Sequence, residues 1–256
     1  MQGSSNDKFQ IRVEIAGGRT ALFTRVEEKT RETIRGFRGF GHNFEKAWTK
    51  APSGSTGHHR IVGFSFGGLA CLVRHETDGY VGDNNSPRGP TDDDLSGALE
   101  GLSISKPGPG GIDHQGGVIV KRDGRVVDLS MTLEIKTRAA SRVLDMAEVC
   151  PQLWISQTPK LAVAYHRHGI FDNVRLRDMT WELGQWEASN QGHLRQLAGL
   201  LTKIIGVAKG SSNGGALVQY DGGSNLRVLV GKGNRALPDD LYAKWELEEE
   251  GEEEEE

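Results

Sequence analysis

Cysteine is scarce, with two residues in 256, Cys71 and Cys150, each among apolar neighbours. A disulfide-dense framework is excluded. One bridge stays open, but two buried free thiols in a reducing compartment, cytosol or nucleus, are the expected state. Long hydrophobic runs are missing as well: no window approaches the roughly 18 consecutive apolar residues of a membrane helix. The start, Met1 to Lys8, is polar and lacks the apolar centre of a signal peptide. No membrane is therefore expected as a partner, and the expected location is nuclear or cytoplasmic. Basic residues are absent from Glu246 to Glu256, where nine Glu stand. The net charge of −4 hides this division, because without that stretch 31 basic residues face 26 acidic ones, a net of +5. Such a like-charge run reads as a disordered, solvated tail. A second reading is a nucleic-acid mimic that competes for a basic groove by Coulomb attraction.

What is present fits one mixed α/β domain over residues 1–245, interrupted by a Gly/Pro/Asp-rich insertion at 79–117 and followed by the acidic tail at 246–256. Phe9 to Ile15 is a strand candidate, and Thr24 to Ile34 is charged and helix-compatible. Arg60–Phe66 and Leu69–His75, joined at Gly67-Gly68, read as a hairpin. Val118–Val120 and Val126–Leu129 around Asp123-Gly124 suggest another. Thr132–Thr137 continues as a strand, and Ser141 is a plausible N-cap for a helix through Cys150 that Pro151 ends or kinks. Leu161–Tyr165 is a strand with a turn at Arg167-His168-Gly169, followed by a polar strand from Val174 to Met179. Gly192 to Ala208 repeats Leu and Ile at helical spacing, and Asn225–Val230 is a last strand. The fold class expected is α/β with a nuclease-like core: a mixed, mostly antiparallel sheet flanked by helices.

The chemistry rests on carboxylates. Hydrolysis of a phosphodiester at neutral pH needs an activated water and a way to absorb charge on the phosphate, and carboxylates gathering Mg²⁺ or Mn²⁺ supply both. In Glu134-Ile135-Lys136, period 2 puts Glu134 and Lys136 on one strand face, roughly 7 Å apart. Glu134 can hold metal there while Lys136 orients water or stabilises transition-state charge. Glu76-Thr77-Asp78 ends a neighbouring strand candidate, with both acids on one face. A lone Glu-x-Lys is equally the charge pair of a solvated sheet edge.

The ordered set Gly41-His42-Asn43-Phe44-Glu45, Glu76-Thr77-Asp78, Glu134-Ile135-Lys136-Thr137 and Trp154-Ile155-Ser156-Gln157 resembles the DXO/Rai family of RNA 5′-end decapping nucleases, within the PD-(D/E)xK superfamily. That family has a Gly-Tyr-Lys-Phe-Glu helix, a Glu-x-Asp strand, a Glu-x-Lys-Thr strand and a Trp-x-Gln segment in this order. The resemblance covers roughly residues 35–205, with large gaps. It implies metal-dependent cleavage at an RNA 5′ end, by decapping, pyrophosphohydrolysis or 5′–3′ exonuclease action. Glu45, Asp78, Glu134 and Lys136 would be catalytic; Glu76, Asp78, Glu134 and the Ile135 carbonyl would serve Mg²⁺ or Mn²⁺. Arg35, Arg38, Gln157 and Arg167 would meet substrate. The partners implied are the RNA 5′ end and a protein such as a nuclear exonuclease. Two departures stand out: Thr77 replaces a hydrophobic residue, and Pro151-Gln152-Leu153 lacks the Lys often found before the Trp-x-Gln position.

Other patterns carry less. His58-His59 and His166-x-His168 lack the companions of a zinc site. Asp92-Asp93-Asp94 has Gly, Pro and Ser neighbours where an aspartate-rich prenyl-synthase motif needs an apolar helix. Gly63-Phe64-Ser65-Phe66-Gly67 has the spacing of a hydrolase elbow but no helix after it, and no phosphate loop with Lys-Ser/Thr occurs. Two alternatives to the RNA hydrolase remain: a non-catalytic module of this fold that binds RNA or protein, and a DNA nuclease on the same core.

Overall fold

The computed structural model describes residues 8–27, 39–50, 57–82, 112–115, 118–121, 127–231, 235–243 and 245. Arg35, Arg38, most of the 79–117 stretch and the acidic stretch 246–256 lie outside them. In chain order the strands are β1 (Phe9–Ala16), β2 (Thr20–Arg25), β3 (His59–Phe66), β4 (Leu69–Glu76), β5 (Gly79–Tyr80), β6 (Ile112–Gln115), β7 (Val118–Lys121), β8 (Thr132–Ala139), β9 (Lys160–Arg167), β10 (Ile170–Asp178), β11 (Gly215–Tyr220) and β12 (Leu226–Val230). The helices are α1 (Phe40–Trp48), α2 (Met146–Ser156), α3 (Thr180–Ser189) and α4 (Gln191–Lys209). None of the described helices is long and apolar enough to cross a membrane.

The chain forms two compact units, one of Met1–Ile34, Gly110–Arg122 and Arg195–Glu256, the other of Arg35–Pro109 and Asp123–Leu194. In the first, an antiparallel sheet of order β12-β11-β1-β2 packs Val13, Ala216 and Val218 against Ile204 and Ala208 of α4. Of the Leu/Ile stripe of that helix, Leu194 and Ile204 are buried, whereas Leu197 is exposed.

The second unit is built on the sheet β10-β9-β8-β5 and the separate hairpin β3-β4. β8 and β9 run parallel, which demands a crossover, and α2 provides it. Period 2 sends Leu161 and Val163 toward Val149 and Leu153 of α2 and Ala162 and Ala164 toward Phe44 of α1. A strand covered on both faces reads as an unbroken apolar run, and Leu161-Ala162-Val163-Ala164 is one. The small alanines leave room for α1. Gly41 does the same, since a Cβ there would stand 3.0 Å from Thr137 Oγ1 on β8. The result is the expected α/β fold, a mixed, mostly antiparallel sheet flanked by helices.

Several local expectations need correction. Thr24 and Arg25 belong to β2, whose apolar Ala21-Leu22-Phe23 pairs with β1, rather than to a helix. β7 pairs with β6; the expected turn at Asp123-Gly124 and Val126 lie outside the described residues, and Leu129–Met131 is a single 3₁₀ turn, capped by the Asp128 side chain. The crossover helix starts four residues later than Ser141 implies, with Asp145 accepting from the Ala147 N–H at 2.8 Å. It then runs through Pro151 to Ser156. Proline deletes one helical hydrogen bond there, but Val149 and Leu153, at 2% and 0% exposure, anchor the helix on both sides of it.

A candidate active site on strand β8

Each acidic side chain is positioned by a different element. β4 closes at Glu76, whose side is exposed. Thr77 turns inward, its N–H donating to the His58 carbonyl at 2.8 Å; its buried hydroxyl has no partner among the described residues. Asp78 follows in the two-residue link to β5. Its Oδ2 accepts from the Ile135 N–H at 2.7 Å, which pins the acidic corner to the middle of β8. Glu134 is 7% exposed, and its Oε1 accepts from Lys136 Nζ at 2.6 Å and from Gln152 Nε2 of α2 at 2.7 Å. Glu45 follows the buried Phe44 on α1, and His42 Nδ1 lies 3.9 Å from Glu45 Oε2.

These groups feel one another. Burial, then the charge of Glu134 and more weakly that of Glu76, push the Asp78 carboxyl above its ordinary range; the Ile135 N–H and Lys136 offset this only in part. Burial and then the charges of Asp78 and Glu76 push Glu45 up, with His42 and Lys136 opposing. Yet among the described residues no three His, Cys, Asp or Glu side chains stand close enough together to hold a metal ion. Lys136 and Gln152 both donate to Glu134 Oε1, and the Ile135 N–H donates to Asp78 Oδ2. The donors are all oxygens and their charge is incompletely offset, so in kind they fit a hard divalent cation such as Mg²⁺ or Mn²⁺. Such an ion would compete with the Lys136 ammonium.

The other expected residues are dispersed. Ile135 packs its side chain against Phe44, Ala162 and Ala164. Gln157 ends α2 in the left-handed region at φ 53°, and its Nε2 donates to the Trp154 carbonyl at 2.5 Å. It lines a hollow of about 500 Å³ with Ser130, Lys160 and Asp178, and none of the four carboxylates lines that hollow. Arg167 closes β9 and borders a different hollow. Arg35 and Arg38 lie outside the described residues. Gln152 was missed: the sequence shows it where the resemblance leads one to expect Lys, and it donates to Glu134 from there. Trp154 is only half-buried, in contact with Phe64, Phe66 and Trp186, its indole N–H donating to Glu187 at 3.1 Å.

Comparison with known proteins gives a fold and a family. No curated protein matches the chain. Among solved structures, Candida albicans Rai1 in complex with pU5-Mn²⁺ is similar over 94% of this chain and 69% of that one, with a TM-score of 0.55 and 10% identity. At that identity the likeness is one of fold. A family model matches residues 1–245, and the chain belongs to the family it describes, Domain of unknown function (DUF8563).

Proposed function

We propose that this chain is a divalent-metal-dependent hydrolase acting on RNA 5′ ends, by decapping or pyrophosphohydrolysis and 5′–3′ exonuclease action, with residues 1–245 as its functional domain. The observation that carries the proposal is the 2.7 Å bond from the Ile135 N–H to Asp78 Oδ2, which joins the acidic end of β4 to the Glu-x-Lys strand. The fold likeness to Rai1, crystallised with pU5 and Mn²⁺, supports it. Asp78, Glu134 and the Ile135 carbonyl would hold the ion, with Glu45 and Glu76 directly or through water. When bound, such an ion lowers the pKa of a water and absorbs charge on the phosphate. Lys136 keeps a fixed positive charge beside the carboxylates, where charge develops on a phosphate. Gln152 holds Glu134 in one orientation from the helix side. Arg35, Arg38, Gln157 and Arg167 are proposed to contact substrate, and a nuclear exonuclease or other protein is a proposed partner, in nucleus or cytoplasm.

Glu134→Gln and Asp78→Asn, singly and together, should abolish Mn²⁺-dependent release of nucleotides or caps from 5′-labelled RNA. Unchanged release by the double variant, folded by circular dichroism, overturns the proposal. Faster cleavage of DNA of the same sequence moves it to a DNA nuclease.

A second reading, a binding module without turnover, draws on Gln152, which caps Glu134 where the resemblance leads one to expect a Lys. Calorimetry separates the two: saturable Mn²⁺ binding below millimolar supports the hydrolase, and no heat at millimolar Mn²⁺ favours the module.

A further inference from the structure

The face of the sheet that bears Glu134 continues into a row of cations. The parallel register sets Glu134 opposite Leu161, Lys136 opposite Val163 and Arg138 opposite Tyr165. The antiparallel register on the other side of β9 sets Arg175 opposite Val163 and Asn173 opposite Tyr165. Directly opposed side chains share a face, so Lys136, Arg138, Asn173 and Arg175 all stand on the side of Glu134. Arg175 is there because of a β-bulge, a register shift between Phe171 and Asn173. Without the extra residue Arg175 would stand opposite Ala162, on the face that α1 covers.

At the far end of these strands, Arg142 and Arg167 join Arg175, Asn173 and Tyr165 around an open hollow of about 610 Å³. Lys136 is tied to Glu134 and Arg138 lies 3.9 Å from Glu148. Among the described residues no ion pair neutralises Arg142, Arg167 or Arg175; Arg175 Nε donates only to Asn173 Oδ1, at 3.3 Å. Three uncompensated guanidiniums around one hollow suit a ligand with repeated negative charge. The half-buried Tyr165 ring adds an aromatic face, and cations with an aromatic platform are what single-stranded nucleic acid uses. Arg175 lies two strand spacings from Lys136, roughly 10 Å, and Arg167 is six residues along from the register of Glu134, roughly 20 Å.

We infer that Arg142, Arg167 and Arg175 form a docking track for the phosphate backbone of single-stranded RNA, a few nucleotides downstream of a 5′ end held at the carboxylates. This deepens the hydrolase reading and takes the placing of the 5′ end from it. Arg167 then serves the body of the strand rather than the scissile phosphate.

The test is fluorescence anisotropy of the full chain in EDTA, so that nothing is cleaved, with 3′-labelled uridine dinucleotide and decanucleotide as probes. The wild-type chain should bind the decanucleotide more tightly. The triple variant Arg142→Ala, Arg167→Ala, Arg175→Ala should lose about tenfold on it at low salt, and the slope of log affinity against log salt should fall by about 2. Dinucleotide binding should not change. Single variants at the exposed Arg142 and Arg167, each lowering the slope by about 0.7, keep the test decisive if the triple variant folds poorly. An unchanged slope in the folded variants overturns the inference. So does displacement of RNA by poly-glutamate at equal charge concentration, which would assign the hollow to an acidic protein segment. Mn²⁺-dependent cleavage by the wild-type chain, assayed separately, tests the hydrolase reading, so failure of that reading and failure of the track are told apart.

Discussion

At the scale of single side chains, the carboxyl of Asp78 stands above its ordinary range because burial and the Glu134 charge both oppose ionisation. The folded chain therefore keeps that proton to higher pH than the unfolded chain does. The contribution to stability is fully present below the unfolded Asp value of about 3.9 and is lost as pH rises through the folded value. At neutral pH the ionised group is a net cost. Asp78→Asn keeps an acceptor for the Ile135 N–H and removes the charge, so its melting temperature should exceed that of the wild type by a few degrees at pH 7.5. The gain should shrink toward pH 4, as calorimetric scans would record; an equal gain at both values would assign it to packing. A site that costs stability where it is charged is what catalytic constellations commonly look like. Lys136 gives the complementary prediction. Its ammonium, 2.6 Å from Glu134 Oε1, competes with any added cation, so Lys136→Ala should bind Mn²⁺ several-fold more tightly in calorimetry while losing turnover. Parallel loss of both would make Lys136 a structural prop. That Glu134 and Lys136 share a strand face and meet was legible from period 2. Asp78 needed the strand end, and Gln152 was invisible because nothing in a helix sequence says which strand acid it will meet.

At the scale of elements, the position of Glu45 depends on how α1 is seated. Its first residue, Phe40, meets the His166 ring at 5.0 Å and lies against the turn between β9 and β10. Gly169 in that turn has φ +90°, and a Cβ there would stand 2.7 Å from Phe40 Cε1. Gly169→Ala combines backbone strain with a clash against a ring, and should cost about 2–4 kcal/mol in urea unfolding. Because Phe40 opens the helix that carries Glu45, Mn²⁺ affinity should fall as well. Phe40→Leu on the Gly169→Ala background should return part of both. Unaltered stability would mean that the turn relaxes away from α1. Elements with a strong period were legible: the β3-β4 hairpin, the β9 run and the α4 stripe. α3 was not, since Gly184 and two tryptophans, Trp181 and Trp186, blur its period and leave it no buried residue. β11 hid behind the glycines and serines that precede it, and its identity as a central strand comes from pairing with β1 and β12, a long-range fact no local window contains.

At the scale of the whole molecule, charge is divided along the chain more sharply than the net value of −4 suggests. Residues 246–256 contribute nine Glu, and the remainder carries +5. A positive body attracts a polyanion by a long-range term that ionic strength weakens, whereas nine tethered carboxylates lower the same potential and compete for the same cations. Deleting 246–256 should therefore raise affinity for the uridine decanucleotide, most at low salt, with the two chains converging as salt rises. Replacing the nine Glu by Gln keeps length and removes charge, so it should reproduce the deletion if Coulomb competition is the cause. If the Gln chain binds like the wild type and only the deletion binds more tightly, bulk rather than charge is responsible. Equal binding by all three chains leaves the acidic stretch a solubility role.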